Sequence, residues 1–437
     1  MAIVLGIIVG AGIFALPSRV AQYASTFLEV IPLWAGAGVI SMMGALIYAE
    51  LGTRFPNTGG EYVYLRHAFG TMPAFLYGWA QLLVIRTNPG ATLALVFAEY
   101  ASSFVPMNEP ARIALAAMLI WTLGAANYVG LEIGKKVQLI TTLAKVAGML
   151  LLAAAGIALG LDWENLSTAH RTASSDELSN FTGAMLLVAF AYLGWDRLGN
   201  VAGEMKNPSR DLPRVLVLSL LIVIVLYLIL NLVIHSALGM DALSKTRAPA
   251  ADVAAMAMGP VGGVLLAVIV MTATASSINA TILSSSRVYY AMAKDGLLPE
   301  PVSRIHPRFR TPHVAVMAHC GWATVLLVGY RSLEALIGSQ VFSMAIWYGV
   351  MAIGYLRIRS RSQERPPFLA PFYPLMPWMF IGALAVLAVA TAIAKPFAAI
   401  GNILLILSGG PVYLVARRHA LSANRAADAS GEAAGRH

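Results

Sequence analysis

The chain has 437 residues, of which 58% are hydrophobic and 12% charged, and a mean hydropathy of +0.72; this is too apolar for a soluble globule and marks a polytopic membrane protein. A net charge of +9 would suggest nucleic acid in a soluble protein, but here the basic residues stand in short loops between apolar runs and act as topology signals, so no nucleic-acid partner is expected. The single cysteine, Cys320, lies in an apolar run, which excludes an internal disulfide and a cysteine metal cluster.

At about 20 residues per crossing, twelve apolar segments can be marked, at about 2–24, 31–54, 72–105, 111–130, 137–160, 180–204, 213–239, 254–291, 313–331, 334–357, 373–394 and 397–416. With the N-terminus inside, nineteen Lys and Arg fall in inside loops and the tail against seven outside, which predicts that both termini are cytoplasmic. No basic stretch precedes the first segment and no clear cleavage site follows it, so it is expected to stay in the mature chain.

That first segment contains GIIVGAGIFALP, Gly6 to Pro17. Gly6, Gly10 and Gly12, with Pro17 behind them, weaken a helix at bilayer depth, where lipid offers no partners for freed backbone groups. A break there exposes amides at one half-helix N-terminus and carbonyls at the other's C-terminus, a pair of ends suited to a zwitterion. The competing reading is a close-packing helix face built on the Gly6 and Gly10 spacing.

Residues 55–71, FPNTGGEYVYLRHAFGT, carry Pro56, Gly59 and Gly60 and then an amphipathic stretch, which predicts an interfacial helix before the third span. Arg86, in LLVIRTNPGATLAL with Pro89 and Gly90, marks an irregular third span. Lys145 lies about nine residues into the fifth, ~13 Å deep and too far for its stem to reach the surface. An ionisable group at that depth is a functional candidate. Residues 161–179 form the longest polar outside loop. In the sixth segment, FAYLGWDRLGNVAGEMKNPSRDLP, the glycines Gly194, Gly199 and Gly203 interrupt a run that also holds Asp196 and Arg197. Paired broken helices in corresponding positions point to an inverted-repeat transporter with a site at the midplane. In the eighth segment Ser276, Ser277 and Asn279 form a polar cluster. His306 and His313 share a basic loop without an acid or third His at ligand spacing, so no metal is expected. The tail, 417–437, has the composition of a disordered segment.

Read together, GIIVGAGIF, LGTRFPNTGGEYVYLRHAFG, LLVIRTNPGATLALVFAEY, GKKVQLITTLAKV, FAYLGWDRLGNVAGEMKNPSRDLP and SSRVYYAMAKDGLLP resemble the amino acid-polyamine-organocation superfamily of transporters. Within it the chain is similar to the L-type amino acid transporter branch, with its bacterial serine/threonine exchanger-like members. The resemblance implies an all-α membrane protein of twelve transmembrane helices, with a five-plus-five inverted repeat over 1–160 and 180–357, broken first and sixth helices, two further helices at 373–416, and alternating access without a cofactor. By position, the amides of Gly10, Ala11 and Gly12 would receive a substrate carboxylate. Carbonyls near Ile7, and those of Phe190, Ala191 and Leu193, would receive its ammonium. Phe190 would also be the lid, Lys145 would take the place of a sodium ion, and Ser277 and Asn279 would form the eighth-helix wall. Leu193 stands where relatives have Gly, Asp or Ser, which implies a narrower, less polar pocket. Ala11 replaces a frequent Ser and loses no backbone donor.

The expectation is therefore a sodium-independent transporter of small to medium neutral L-amino acids, exchanging or proton-coupled. The alternative is a permease for polyamines, other amines or cationic amino acids, for which Asp196 alone would supply a carboxylate. Human members of the branch pair with a glycoprotein through an outer-loop disulfide; no cysteine stands there in this chain, so no such partner is expected. An enzyme would need a nucleophile with its base or a metal cluster, and Cys320, His235 and His319 form neither.

Overall fold

A chain that crosses lipid must satisfy its own backbone, as helix or as closed barrel, and a computed structural model of this protein describes residues 12–55, 60–130, 135–169, 175–197, 207–294, 296 and 298–415 with helices alone as regular structure. These are α1 (Gly12–Ala21), α2 (Phe27–Arg54), α3 (Gly60–Phe69), α4 (Thr71–Ala80), α5 (Asn88–Ala101), α6 (Glu109–Tyr128), α7 (Lys135–Leu159), α8 (Trp163–Ser167), α9 (Glu177–Ala191), α10 (Pro208–Lys245), α11 (Pro249–Lys294), α12 (His313–Tyr330), α13 (Leu333–Arg361), α14 (Leu375–Ala394) and α15 (Pro396–Leu407). A π-helical turn, Gln81–Ile85, joins α4 to α5.

Among the described residues, ten helices are long and apolar enough to cross a membrane, so the chain is a multi-pass membrane protein. Two of the twelve marked segments are not among them. Of the first, only the ten residues of α1 are described. The third is divided at the π turn, which puts Arg86 and Thr87 between two shorter helices. The interfacial segment forms α3, whose Glu61, Tyr64, Leu65 and Ala68 are buried while Arg66 and His67 are exposed. The loop at 161–179 is less irregular than its polarity suggested: Asp162 caps α8, its Oδ1 accepting from Glu164 N at 2.9 Å. The tail lies outside the described residues.

Helix starts carry their caps. Asn108 Oδ1 accepts from Ala111 N at 3.0 Å before α6, and Ser332 Oγ accepts from Ala335 N at 3.1 Å before α13, each taking one amide the helix cannot satisfy itself. α10 and α11 run 38 and 46 residues, longer than one crossing needs. Each is bent at a glycine in the left-handed region, Gly239 (φ 69°) and Gly259 (φ 70°). Close approach between helices relies on small residues: a Cβ at Gly44 of α2 would lie 2.5 Å from the Trp195 ring, and one at Gly124 of α6 2.5 Å from Cys320 Sγ. α1 packs against α9, α10 and α11, placing it inside the bundle. On α14 the side chains of Trp378, Met379, Val386, Val389 and Ile393 are exposed, an apolar band suited to lipid.

Candidate functional site

The first described turn of α1 and the C-terminal end of α9 meet in the bundle. The described part of α1 begins at Gly12. The sixth apolar segment is not one rod: α9 stops at Ala191, a turn follows over 192–194 with Gly194 at φ 118°, and a short 3-10 turn covers 195–197. A Cβ at Gly12 would lie 3.7 Å from Phe190 Cε1, so Gly12 sits against the end of α9. Free amides carry partial positive charge and terminal carbonyls partial negative charge. Phe190 O accepts from Leu193 N at 3.1 Å and Ala191 O from the Tyr227 hydroxyl at 3.3 Å; each carbonyl keeps a second lone pair. Ile7, Gly10 and Ala11, like Gly6, Gly199 and Gly203, lie outside the described residues.

Lys145 is 2% exposed, and its Nζ donates to Ser277 Oγ at 2.7 Å, tying α7 to α11. One turn on, a Cβ at Gly148 would lie 3.5 Å from Phe14 Cζ. Residues three apart share a helix face, so the lysine looks toward α1. The Tyr100 hydroxyl steadies that helix from α5, donating to Phe14 O at 2.6 Å. Ser277 and Asn279 do not share a neighbour. Two positions along a helix is a rotation of ~200°, and Asn279 Oδ1 accepts from Asn127 Nδ2 of α6 at 2.7 Å. Ser276 pairs with Thr141 of α7 at 2.8 Å. Leu193 lines a small apolar cavity of about 50 Å³ with Ala37 and Ile40 of α2, Val341 and Met344 of α13 and Phe380 of α14. No residue of α1 or α11 lines that cavity.

An amino acid permease family model matches residues 1–415. The chain belongs to the amino acid permease family. The permease is 30% identical over 418 residues to the serine/threonine exchanger SteT of Bacillus subtilis (strain 168), covering 94% of each chain. It is also 30% identical over 374 residues to the b(0,+)-type amino acid transporter 1 of Oryctolagus cuniculus, covering 83% of this chain and 76% of that one. With the large neutral amino acids transporter small subunit 2 of Rattus norvegicus it shares 28% identity over 424 residues, 94% of this chain and 78% of the relative. It is an amino acid transporter and not an enzyme.

The permease buries further ionisable groups, of which only Asp196 stood out in the sequence. At one end of the bundle Arg19 of α1 bridges Glu99 of α5 and, at 3.5 Å, Glu334 of α13. Arg19 and Glu334 border a cavity of about 550 Å³ that they share with Gln22, Tyr330, Lys395 and Asn402. Elsewhere Glu61, the second residue of α3, is 2% exposed, and Asp196, just past the end of α9, is 6% exposed. The Asp196 carboxyl lies close enough to act electrostatically on Glu61. Burial first, and then the Asp196 carboxyl, raises Glu61 above the usual carboxylate range, with Arg86 opposing. A readable signal existed: Glu61, Tyr64, Leu65 and Ala68 are spaced i, i+3, i+4, i+7, so the acid stands on the apolar stripe of its helix.

Proposed function

We propose that this permease carries small to medium neutral L-amino acids by alternating access, without sodium, through exchange or together with protons. The observation that carries the reading is Gly12, the last glycine of the first-segment cluster, lying against Phe190 at the end of α9. A break in the first segment before Gly12 sets free amides beside the carbonyls that end α9, and a molecule with a carboxylate and an ammonium matches such a pair. The amides of Gly10, Ala11 and Gly12 take the carboxylate; carbonyls near Ile7 and those of Phe190, Ala191 and Leu193 take the ammonium; the Phe190 ring closes over the substrate. Lys145, already fixed by Ser277, has two further N–H donors to hold carbonyls of the first-helix break as a permanent cation where a sodium ion would otherwise sit. The frame for this is twelve spans in a five-plus-five inverted repeat with both termini cytoplasmic. Ser277 and Asn279 then serve the site from two sides of α11, Ser277 through the lysine and Asn279 through Asn127.

The resemblance to a serine/threonine exchanger supports a small neutral substrate. The amine alternative is disfavoured because Asp196, the carboxylate it would use, is turned toward Glu61 and Tyr348. Cys320 is buried, so no thiol is offered to a disulfide-linked partner.

The test is counterflow in proteoliposomes with a panel of labelled amino acids and polyamines, with sodium absent. Small neutral amino acids are expected to exchange, and Lys145→Ala is expected to abolish uptake while the purified protein keeps its melting transition. Counterflow of polyamines alone would overturn the substrate class, and full activity of Lys145→Ala would overturn the role of the lysine.

A further inference from the structure

Around Glu61 and Asp196 the bundle has left both donors and acceptors unmatched. Glu61 Oε1 and Asp196 Oδ1 are buried without a hydrogen-bond partner among the described residues, and so are Arg86 Nε and the Tyr348 hydroxyl. The groups come from separate elements. Glu61 is on α3, Asp196 and Arg197 follow α9, Arg86 follows the π turn, Tyr77 is on α4, Tyr48 on α2, Tyr348 on α13, and Tyr64 lies one turn along α3. All of them act electrostatically on Glu61 or on Asp196. The walls are aromatic: Tyr348 packs 5.0 Å from Trp195 and 5.9 Å from Tyr48, centroid to centroid.

Two ionised carboxylates facing one another are acceptors only, with no donor between them. Burial makes that arrangement costly, and a shared proton removes both the repulsion and one orphaned acceptor. Arg86, presented by the π turn, and the Tyr348 hydroxyl are then spare donors that can meet the pair when the proton leaves. Asp196 follows the broken end of α9 by five residues, whereas Glu61 is carried by α3. A shift of the α9 end against α3 therefore parts the carboxyls, and that same end carries Phe190 and Ala191 of the proposed substrate site.

We infer that Glu61 and Asp196 together hold one exchangeable proton and couple amino acid movement to a proton gradient. The inference rests on the transport reading above and adds to it the coupling ion and its site. The proton enters with the substrate from the outer bath, sits between the two carboxyl groups, and is released to inner water when the α9 end moves, leaving Arg86 and Tyr348 to compensate the charge.

The experiment uses proteoliposomes with a trapped pH dye, loaded with an amino acid that supports counterflow. An inward proton gradient is expected to raise initial uptake several-fold and to acidify the lumen together with the substrate. Glu61→Gln is expected to keep gradient-free counterflow and lose both responses; Asp196→Asn repeats the test should the first variant fail to fold. Active counterflow that ignores the gradient, or a Glu61→Gln protein that still responds to it, would overturn the proton role and leave the transport reading standing. Failure of every amino acid to exchange would strike the transport reading itself. The pair is then decided by infrared titration: a protonated carboxyl band that survives to neutral pH and is missing from Glu61→Gln supports it, and absence of that band from the unmodified protein overturns it.

Discussion

Glu50 and Glu61 stand at neighbouring helix ends, joined through the contact of Tyr48 with Tyr64 at 6.3 Å, and they are buried almost equally, at 0% and 2% exposure. Their surroundings are opposite. Glu50 Oε1 accepts from Arg54 Nε at 3.0 Å and Nη2 at 2.8 Å. Its Oε2 accepts from Arg359 at 2.7 Å, the Tyr355 hydroxyl at 2.8 Å and Ala370 N at 2.8 Å. That carboxylate is fully compensated and rivets α2 to α13 and to the segment ahead of α14. Glu61 has another carboxyl for a neighbour and an oxygen with no donor. A charge satisfied from five directions has nothing left to exchange, whereas one left unsatisfied is open to a proton. The difference separates a residue that holds the bundle from one positioned to do work as it moves.

The strongest way to break this contrast is to remove the rivet. Glu50→Gln keeps the shape and deletes the charge, leaving Arg54 and Arg359 uncompensated in a buried setting, at a cost of about 3–5 kcal/mol. The melting temperature in detergent should fall sharply near neutral pH. Changing Arg359 to Met in the same protein should recover part of that loss, since the partners are coupled. A mild effect would show that the rivet is dispensable.

Next in size is the pH dependence of stability. Because Glu61 is raised by burial and by Asp196, the native state binds more protons than the unfolded chain between the ordinary carboxylate range and the raised value. Stability should therefore fall as pH rises through that window. Glu61→Gln should flatten the fall, and changes at Glu50 should not. A slope left unaltered by Glu61→Gln would assign it to other groups.

The contrast between the two glutamates also marks what could be read from residues alone. The spans were visible because lipid demands long apolar runs, and the irregular third helix was visible at Arg86, Pro89 and Gly90, where the π turn precedes a new helix start at Asn88. The end of the sixth segment's helix was foreshadowed by Gly194, which takes the left-handed conformation. What stayed hidden was pairing across the bundle. Nothing near Lys145 announces Ser277, its partner 132 residues away, and nothing near Glu61 announces Asp196. Surroundings were hidden too: Leu193 follows the end of α9, where helical periodicity no longer fixes a residue's neighbours, and it lines a cavity with residues of α2, α13 and α14. The shared polarity of Ser277 and Asn279 masked the rotation that sends them to different helices. Glu61 itself was legible, as an acid in an apolar stripe, and was passed over because its helix was read as interfacial.

The finest test compares two tyrosines. Tyr355 gives Glu50 one of its several donors, so Tyr355→Phe should cost about 1 kcal/mol of stability near neutral pH. Tyr348 stands beside Asp196 with its hydroxyl unpartnered, and its ring is held by Trp195 and Tyr48 whether or not the hydroxyl is present. Tyr348→Phe should therefore leave stability near neutral pH almost unchanged, because a protonated pair does not need that donor. At higher pH the ionised pair lacks a hydrogen bond it would otherwise gain, so Glu61 keeps its proton longer and gradient-driven uptake persists to a more alkaline bath. Parallel behaviour of the two variants would mean that both glutamates are compensated alike, and the distinction between rivet and proton site would fall with it.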